Sequence, residues 1–178
     1  AVIGCGGVGI NAIIAANLAA NYPIIAIDID NRKLKMAKQL GADIILNAKN
    51  KDFLYQIKQL KKEHSIDFCV ETTGIINNIE LAYDLPHQTG KTVLVGVPFY
   101  KKKSKIDTFK LHFGKTIIGS HGGDTNPSKD IVKYMDVINK KNINLENLIS
   151  KVYPLSKINN AIKDYSSGRL IGKPIIKM

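Results

Sequence analysis

The sequence predicts a doubly wound α/β fold: a six-stranded parallel sheet covered on both faces, followed by a C-terminal tail of helices and strands. Three observations predict it. Short apolar runs alternate with helical patterns through the first two thirds of the chain. A glycine-rich turn, Gly4-Cys5-Gly6-Gly7-Val8-Gly9, directly follows the first apolar run, Ala1-Val2-Ile3. The second apolar run, Ile24-Ile25-Ala26-Ile27, ends on an acid, Asp28, which lies 19 residues beyond Gly9. Alternation of this kind is how a parallel sheet comes to be buried on both faces.

Gly4, Gly6 and Gly9 have the G-x-G-x-x-G spacing of a dinucleotide site. Gly4 permits the tight turn out of the strand, Gly6 lets the backbone approach a pyrophosphate, and Gly9 lets the helix pack close to the sheet. The N–H groups of Gly7 and Val8 then face the phosphates, with the positive end of the helix dipole behind them. Asp28 stands near the ~20-residue spacing of the acid that binds the adenosine ribose. A lone glycine turn is weak evidence. The order strand, turn, helix, strand, acid favours a dinucleotide-binding unit over a nucleotide-free domain of the same shape.

The remaining elements follow in order. Val8 to Asn21 is apolar nearly all round, which predicts a helix buried between sheet and neighbours. Asp30 or Asn31 caps a second helix with Leu34, Ala37 and Leu40 on one face, and Gly41 closes it. Asp43 to Asn47 is a third strand, and a helix from Asp52 to Lys62 buries Phe53, Ile57 and Leu60. Ile66 to Thr72 is the fourth strand, ending in a Thr73-Gly74 loop. A helix starts at Asn77 or Asn78 and ends near Leu85-Pro86, Lys91 to Val97 is the fifth strand, and Thr116 to Ser120 is the sixth. Six strands fit the 3-2-1-4-5-6 order of the Rossmann fold. We set the dinucleotide-binding domain at residues 1–121 and the tail at 122–178.

In the tail, Asn126-Pro127 opens a helix to about Lys141, with Ile131, Tyr134, Met135 and Ile138 as its buried face. Ser156 caps another helix, with Ile158, Ala161, Ile162 and Tyr165 inward, and Gly172 to Met178 is a final strand. The chain opens at Ala1, without Met, inside the first strand. Three residues before the turn are fewer than the about five or six of an ordinary strand, so we read the sequence as a piece whose upstream residues are missing.

Composition narrows the function. The chain has 178 residues, 44% hydrophobic and 23% charged, which suits a globular protein with a proper core. No apolar run reaches the ~18 residues of a membrane span, and there is no cleavable leader. The net charge is +11, but lysine is spread along the chain; only Lys101-Lys102-Lys103 with Lys105 cluster tightly, as a solvated loop. Without aromatic interleaving, this reads as no nucleic-acid partner and no membrane partner. Cys5 and Cys69 form no metal or redox motif and read as small hydrophobes, which fits a cytoplasmic protein. His121 follows the sixth strand near the expected nicotinamide end, where a loop contact is favoured over a proton shuttle. Asp67 and Glu71 on one strand face are roughly 13 Å apart, too far to act on one bond, and are read as structural.

Together these pieces make the chain resemble the C-terminal part of a zinc-type medium-chain alcohol dehydrogenase. The resemblance rests on Gly4-Cys5-Gly6-Gly7-Val8-Gly9, on Asp28-Ile29-Asp30-Asn31-Arg32-Lys33-Leu34, and on Leu40-Gly41-Ala42-Asp43. It continues through Asp67-Phe68-Cys69-Val70-Glu71-Thr72-Thr73-Gly74, Gly90-Lys91, Val95-Gly96-Val97-Pro98 and Gly119-Ser120 with Gly122-Gly123. Pro154-Leu155, Ile158-Asn159, Ala161 and Ser167-Gly168 extend it through the tail, so it covers essentially the whole chain. Gly4 favours the zinc branch over the zinc-independent quinone reductases, which usually carry Ala or another small residue there.

The resemblance implies roles position by position. Gly4, Gly6, Gly7, Val8 and Gly9 match the pyrophosphate loop, Asp28 the ribose acid, and Lys33 a basic residue reaching the same ribose. Thr72, Thr73 and Gly74 match the loop beside adenine and the nicotinamide ribose, and Val95, Gly96 and Val97 the backbone lining the nicotinamide. Lys173 stands where relatives place an arginine on the pyrophosphate, keeping the charge without the fork. Asp28 favours NAD over NADP by repelling a 2′-phosphate, with Arg32 close enough to soften that preference. No catalytic residue and no metal ligand are implied within the chain; zinc is expected only in the missing domain, with which the 122–178 tail packs in relatives, so the tail's apolar face is expected to be exposed here or covered by another copy. The implied function is the cofactor-binding part of an NAD-dependent alcohol or polyol dehydrogenase, a homodimer joined at the sheet edge Thr116–Ser120. A non-enzymatic NAD-binding regulatory module and a quinone-reductase-like member are the alternatives. A methyltransferase is disfavoured by the two-half strand pattern and the Asp28–Lys33 segment.

Overall fold

Short β-branched runs build the sheet. In a computed structural model describing residues 1–178, β1 (Val2–Ile3), β2 (Ile25–Asp28), β3 (Ile44–Asn47), β4 (Phe68–Glu71), β5 (Lys91–Leu94) and β6 (Thr116–Gly119) form one sheet. Its order is β3-β2-β1-β4-β5-β6, and every pairing is parallel. The chain steps outward from β1 to β3, then crosses back to place β4 beside β1. Val2 faces Ala26 on one side and Val70 on the other; Ile3 faces Ile27 and Glu71. The strand order reverses there, and in such sheets ligands bind at the carboxyl ends of the strands at the reversal.

Four helices link the strands: α1 (Gly7–Leu18), α2 (Asn31–Gln39), α3 (Phe53–Glu63) and α4 (Ile76–Asp84). The expected inward residues of α2 and α3 are buried: Leu34 and Ala37, then Phe53, Ile57 and Leu60. The α3 trio packs with Ile3, Ile25, Ile27, Cys69, Ala82 and Leu85 in one cluster. Gly41 has a φ of 115°, and a Cβ there would come within 2.6 Å of the Asn17 side chain. The α1–α2 approach therefore requires glycine at that position.

Three expectations are corrected in this unit. Helix α1 ends at Leu18 rather than Asn21, and it buries only Gly9, Ile10 and Ile13, leaving Val8 and Leu18 exposed. Its apolar composition hid its direction, because a helix apolar all round has no stripe for the sequence to mark. Helix α4 begins at Ile76, capped by Ile75, rather than at Asn77 or Asn78. The Thr73 hydroxyl takes the Ile75 N–H there, so the helix starts without an Asn cap.

Backbone proximity separates Ala1–His121 from a second unit, Gly122–Met178. The second unit holds α5 (Pro127–Lys140), β7 (Ile149–Pro154), α6 (Ile158–Ser166) and β8 (Lys173–Lys177), with β7 and β8 paired in parallel. Here the apolar faces that the sequence marks are largely exposed. Helix α5 buries no residue, and Ile131, Tyr134 and Met135 are exposed. Helix α6 is capped by Lys157 rather than Ser156, and of its apolar face only Ala161 is buried; Ile158, Ile162 and Tyr165 are exposed. Periodicity fixes which residues share a face; it does not supply a surface to cover that face. No helix is long and apolar enough to cross a membrane.

The glycines of the first turn separate fold from site. A Cβ at Gly9 would lie 1.7 Å from the Gly4 carbonyl oxygen, whereas one at Gly6 would meet nothing within 4 Å. Gly9→Ala is expected to cost roughly 3 kcal/mol by forcing α1 off the sheet. Gly6→Ala should cost no more than about 1 kcal/mol, the loss of a glycine cap. Urea unfolding of the two variants checks this; equal midpoints would contradict it.

Candidate functional site

The glycine turn joins β1 to α1 in the fewest residues that allow it. Gly4 adopts a φ of 91°, and its N–H donates to the Ile27 carbonyl at 2.8 Å, tying the turn to β2. Gly6 caps α1 with no side chain to satisfy the first-turn donors, and the first turn carries no acid. The N–H groups of Gly7 and Val8 have no acceptor within the chain. With open space in front of Gly6, the result is a row of bare backbone donors at the positive end of a 12-residue helix.

Two carboxylates hold the surrounding loops. Asp28, nearly buried, ends β2. Its Oδ2 accepts the Cys5 N–H at 2.7 Å, and its Oδ1 accepts the N–H groups of Ile29 and Asp30 at 2.7 and 2.9 Å. A carboxylate offers about four lone-pair sites, so one remains, on Oδ2. Glu71, fully buried, ends β4. Its Oε1 accepts the Thr73 N–H at 2.7 Å and the Thr73 hydroxyl, and its Oε2 accepts the Gly74 N–H at 3.0 Å. Asn78 donates to the same hydroxyl at 2.9 Å. The Thr72 hydroxyl spans the carbonyls of Ile3 and Gly4 at 3.0 and 2.9 Å, locking this loop to the glycine turn.

The end of β5 closes against that loop. The N–H groups of Val95 and Gly96 both donate to the Glu71 carbonyl, at 2.8 and 3.0 Å. A Cβ at Gly96 would lie 2.1 Å from the Gly74 nitrogen, and one at Gly74 would lie 2.4 Å from the Val97 carbonyl oxygen. The two strand ends therefore touch backbone to backbone, and Val97 stands out into solvent beyond them.

Gly4, Gly6, Gly7, Val8, Gly9, Asp28, Thr72, Thr73, Gly74, Val95, Gly96 and Val97 thus meet at the carboxyl ends of β1, β2, β4 and β5 or just beyond them. Lys33 lies in the first turn of α2, half-buried, and bears electrostatically on Cys5 and Asp30. Lys173 belongs to the second unit, where its ammonium donates to the Tyr165 hydroxyl at 2.9 Å and sits over that ring. Asp67 is exposed and pairs with His87 at 3.2 Å, so Asp67 and Glu71 do not act together.

Sequence reasoning gave Glu71 a structural part but not this one, as the anchor of the Thr73-Gly74 loop. An acid in an otherwise apolar strand followed by two threonines was the available signal. Burial pushes both thiols up, Cys5 and Cys69 each to about 12. No group of three or more His, Cys, Asp or Glu side chains is placed to hold a metal ion.

Comparison with known proteins decides the family. The zinc-binding dehydrogenase family model matches residues 7–140. The chain belongs to the zinc-binding dehydrogenase family. Alcohol dehydrogenase 2 of Zea mays is 32% identical over 163 residues, which are 90% of this chain and 43% of the plant protein. Two solved structures share 32% identity and a TM-score of 0.90 over 99% of the chain. One is an alcohol dehydrogenase zinc-binding domain protein from Burkholderia ambifaria, the other benzyl alcohol dehydrogenase from Acinetobacter calcoaceticus. The chain spans 47% and 48% of their lengths. This zinc-binding dehydrogenase chain thus spans under half the length of the relatives it matches, and its six-stranded unit is the Rossmann fold predicted from the sequence.

Two outcomes are expected. Glu71→Ala should cost on the order of 3 kcal/mol, because it strips buried N–H groups of their acceptor. Amide exchange at Thr73 and Gly74 should then speed up by roughly tenfold or more, measured by hydrogen exchange. With both thiols raised, neither cysteine should react with a thiol reagent at pH 8 in the folded chain, and both should react in denaturant.

Proposed function

We propose that the Ala1–His121 unit binds NAD, and that the whole protein is an NAD-dependent, zinc-type alcohol or polyol dehydrogenase. One observation carries this reading: the open, uncapped helix start at Gly6-Gly7-Val8, flanked by the Asp28 carboxylate. A Cβ at Gly6 would fill the space a diphosphate needs, and the position has none. When bound, NAD supplies the acceptor that an alcohol needs to be oxidised.

Each residue has a task in this reading. The Gly7 and Val8 N–H groups bind the diphosphate. The remaining lone pair of Asp28 Oδ2 accepts a hydroxyl of the adenosine ribose, with Lys33 beside it. Thr72, Thr73 and Gly74, stiffened by Glu71, flank the adenine and the nicotinamide ribose. The backbone of Val95, Gly96 and Val97 orients the nicotinamide face. Family membership and the 32% identity to alcohol dehydrogenases support the reaction class. We assign the zinc of the proposed enzyme, and the alcohol pocket, to residues outside this chain. We also place a homodimer contact at β6, which pairs with β5 alone and leaves its other edge open.

Calorimetric titration tests the cofactor reading. NAD should bind the wild-type chain, and Gly6→Ala should weaken binding by roughly a hundredfold or more while the chain stays folded. Equal affinity in the variant would overturn the diphosphate assignment. Light scattering tests the assembly: twice the chain mass is expected, and a single-chain mass would contradict the β6 contact.

A further inference from the structure

Arg32 is the sole arginine of the first unit. It stands four residues beyond Asp28, at the ribose end of the proposed site, where a guanidinium would suit a 2′-phosphate. The structure shows it bound elsewhere. Asp30 Oδ1 accepts Arg32 Nε at 3.1 Å, and Asp30 Oδ2 accepts an Arg32 terminal nitrogen at 2.6 Å, a fork-on-fork pair. Oδ1 also accepts the Arg32 N–H at 2.9 Å, capping α2. Asp30 is itself fixed, since its own N–H donates to Asp28 Oδ1 at 2.9 Å. Two carboxylates thus leave the same strand end, one holding the other's backbone, and the second holds the local guanidinium.

We propose that Asp30 is the residue that sets NAD over NADP in this chain, by engaging Arg32 in a bidentate pair that withholds the guanidinium from a 2′-phosphate. The proposal rests on the NAD reading above and deepens it. Asp28 alone does not account for the choice. Its three backbone N–H donors leave its negative charge in place, but Arg32 would counter that charge if released. The Arg32 hydrogen bonds hold the Asp30 carboxyl down at about 2, so the pair is charged at neutral pH. Asp30 acts through Arg32 and is therefore a positioning residue.

The test replaces charge and leaves the cap. Asp30→Asn keeps an oxygen for the Arg32 N–H, as Asn caps helices as well as Asp does, but it loses the ionic fork. NAD and NADP affinities of the full chain are measured by calorimetry for wild type, Asp30→Asn, Arg32→Ala and the double variant, at two salt concentrations. In Asp30→Asn the NADP-to-NAD affinity ratio should rise about tenfold or more, and NADP binding should become more sensitive to salt. Arg32→Ala alone should leave the ratio within about twofold, and in the double variant the gain should vanish. Asp30→Ser, another good cap, should repeat the Asn result, which guards against a folding artefact. If NAD binds all variants and the ratio stays flat, the proposal is overturned while the cofactor reading stands. A gain that survives Arg32→Ala also overturns it, since the guanidinium would not be the agent. If wild type binds neither nucleotide, the cofactor reading fails and takes the proposal with it.

Discussion

The contact between Gly9 and the Gly4 carbonyl governs the arrangement of the site. Because neither residue has a side chain, α1 starts in direct contact with the end of β1, where any Cβ at Gly9 would sit 1.7 Å from an oxygen. That closeness aims the first-turn donors of the helix outward from the carboxyl edge of the sheet. It also leaves the end of β1 exposed to its neighbours, and Thr72 bridges to the carbonyls of Ile3 and Gly4 from β4. A dinucleotide site of this kind is a consequence of how tightly one helix is allowed to approach one strand.

Around that contact, buried carboxylates do for the loops what secondary structure does for the strands. Asp28 gathers the N–H groups of Cys5, Ile29 and Asp30, so it joins the glycine turn to the start of α2. Glu71 gathers those of Thr73 and Gly74. Both acids end strands that flank or pair with β1, and both satisfy donors that water would otherwise have to reach. In the proposed function the same acids fix the two ribose ends of the cofactor. Folding and binding therefore draw on the same atoms. A substitution at Asp28 changes both at once, whereas Gly6 and Asp30 allow binding to be altered with the fold kept.

Much of this was legible in the sequence, for reasons that particular residues show. Gly4, Gly6, Gly9 and Asp28 were readable because their chemistry depends on spacing along the chain, which the fold preserves. Leu34, Ala37, Phe53, Ile57 and Leu60 were readable because a covered helix writes its face as a period. Helix α1 was misread because Ala12, Ile14, Ala15 and Ala16 are apolar with no polar face opposite. The faces of α5 and α6 were readable as stripes through Ile131, Met135 and Ile162, but nothing in a stripe says whether its own unit covers it. The Asp30–Arg32 fork lay beyond the sequence, and the Glu71 anchor left only the signal of a strand acid before two threonines. Both depend on where a side chain turns, and a cap or a strand acid reads the same whichever partner it takes.

In the proposed function a dinucleotide sits on the bare N–H groups at the start of α1. Two-dimensional amide NMR of the chain, recorded while NAD is added, tests it most directly. The largest shifts should fall on Gly6, Gly7 and Val8, with smaller ones at Ile29, Asp30, Thr73 and Gly74. Saturable shifts confined to other residues, with the glycine turn unmoved, would contradict it.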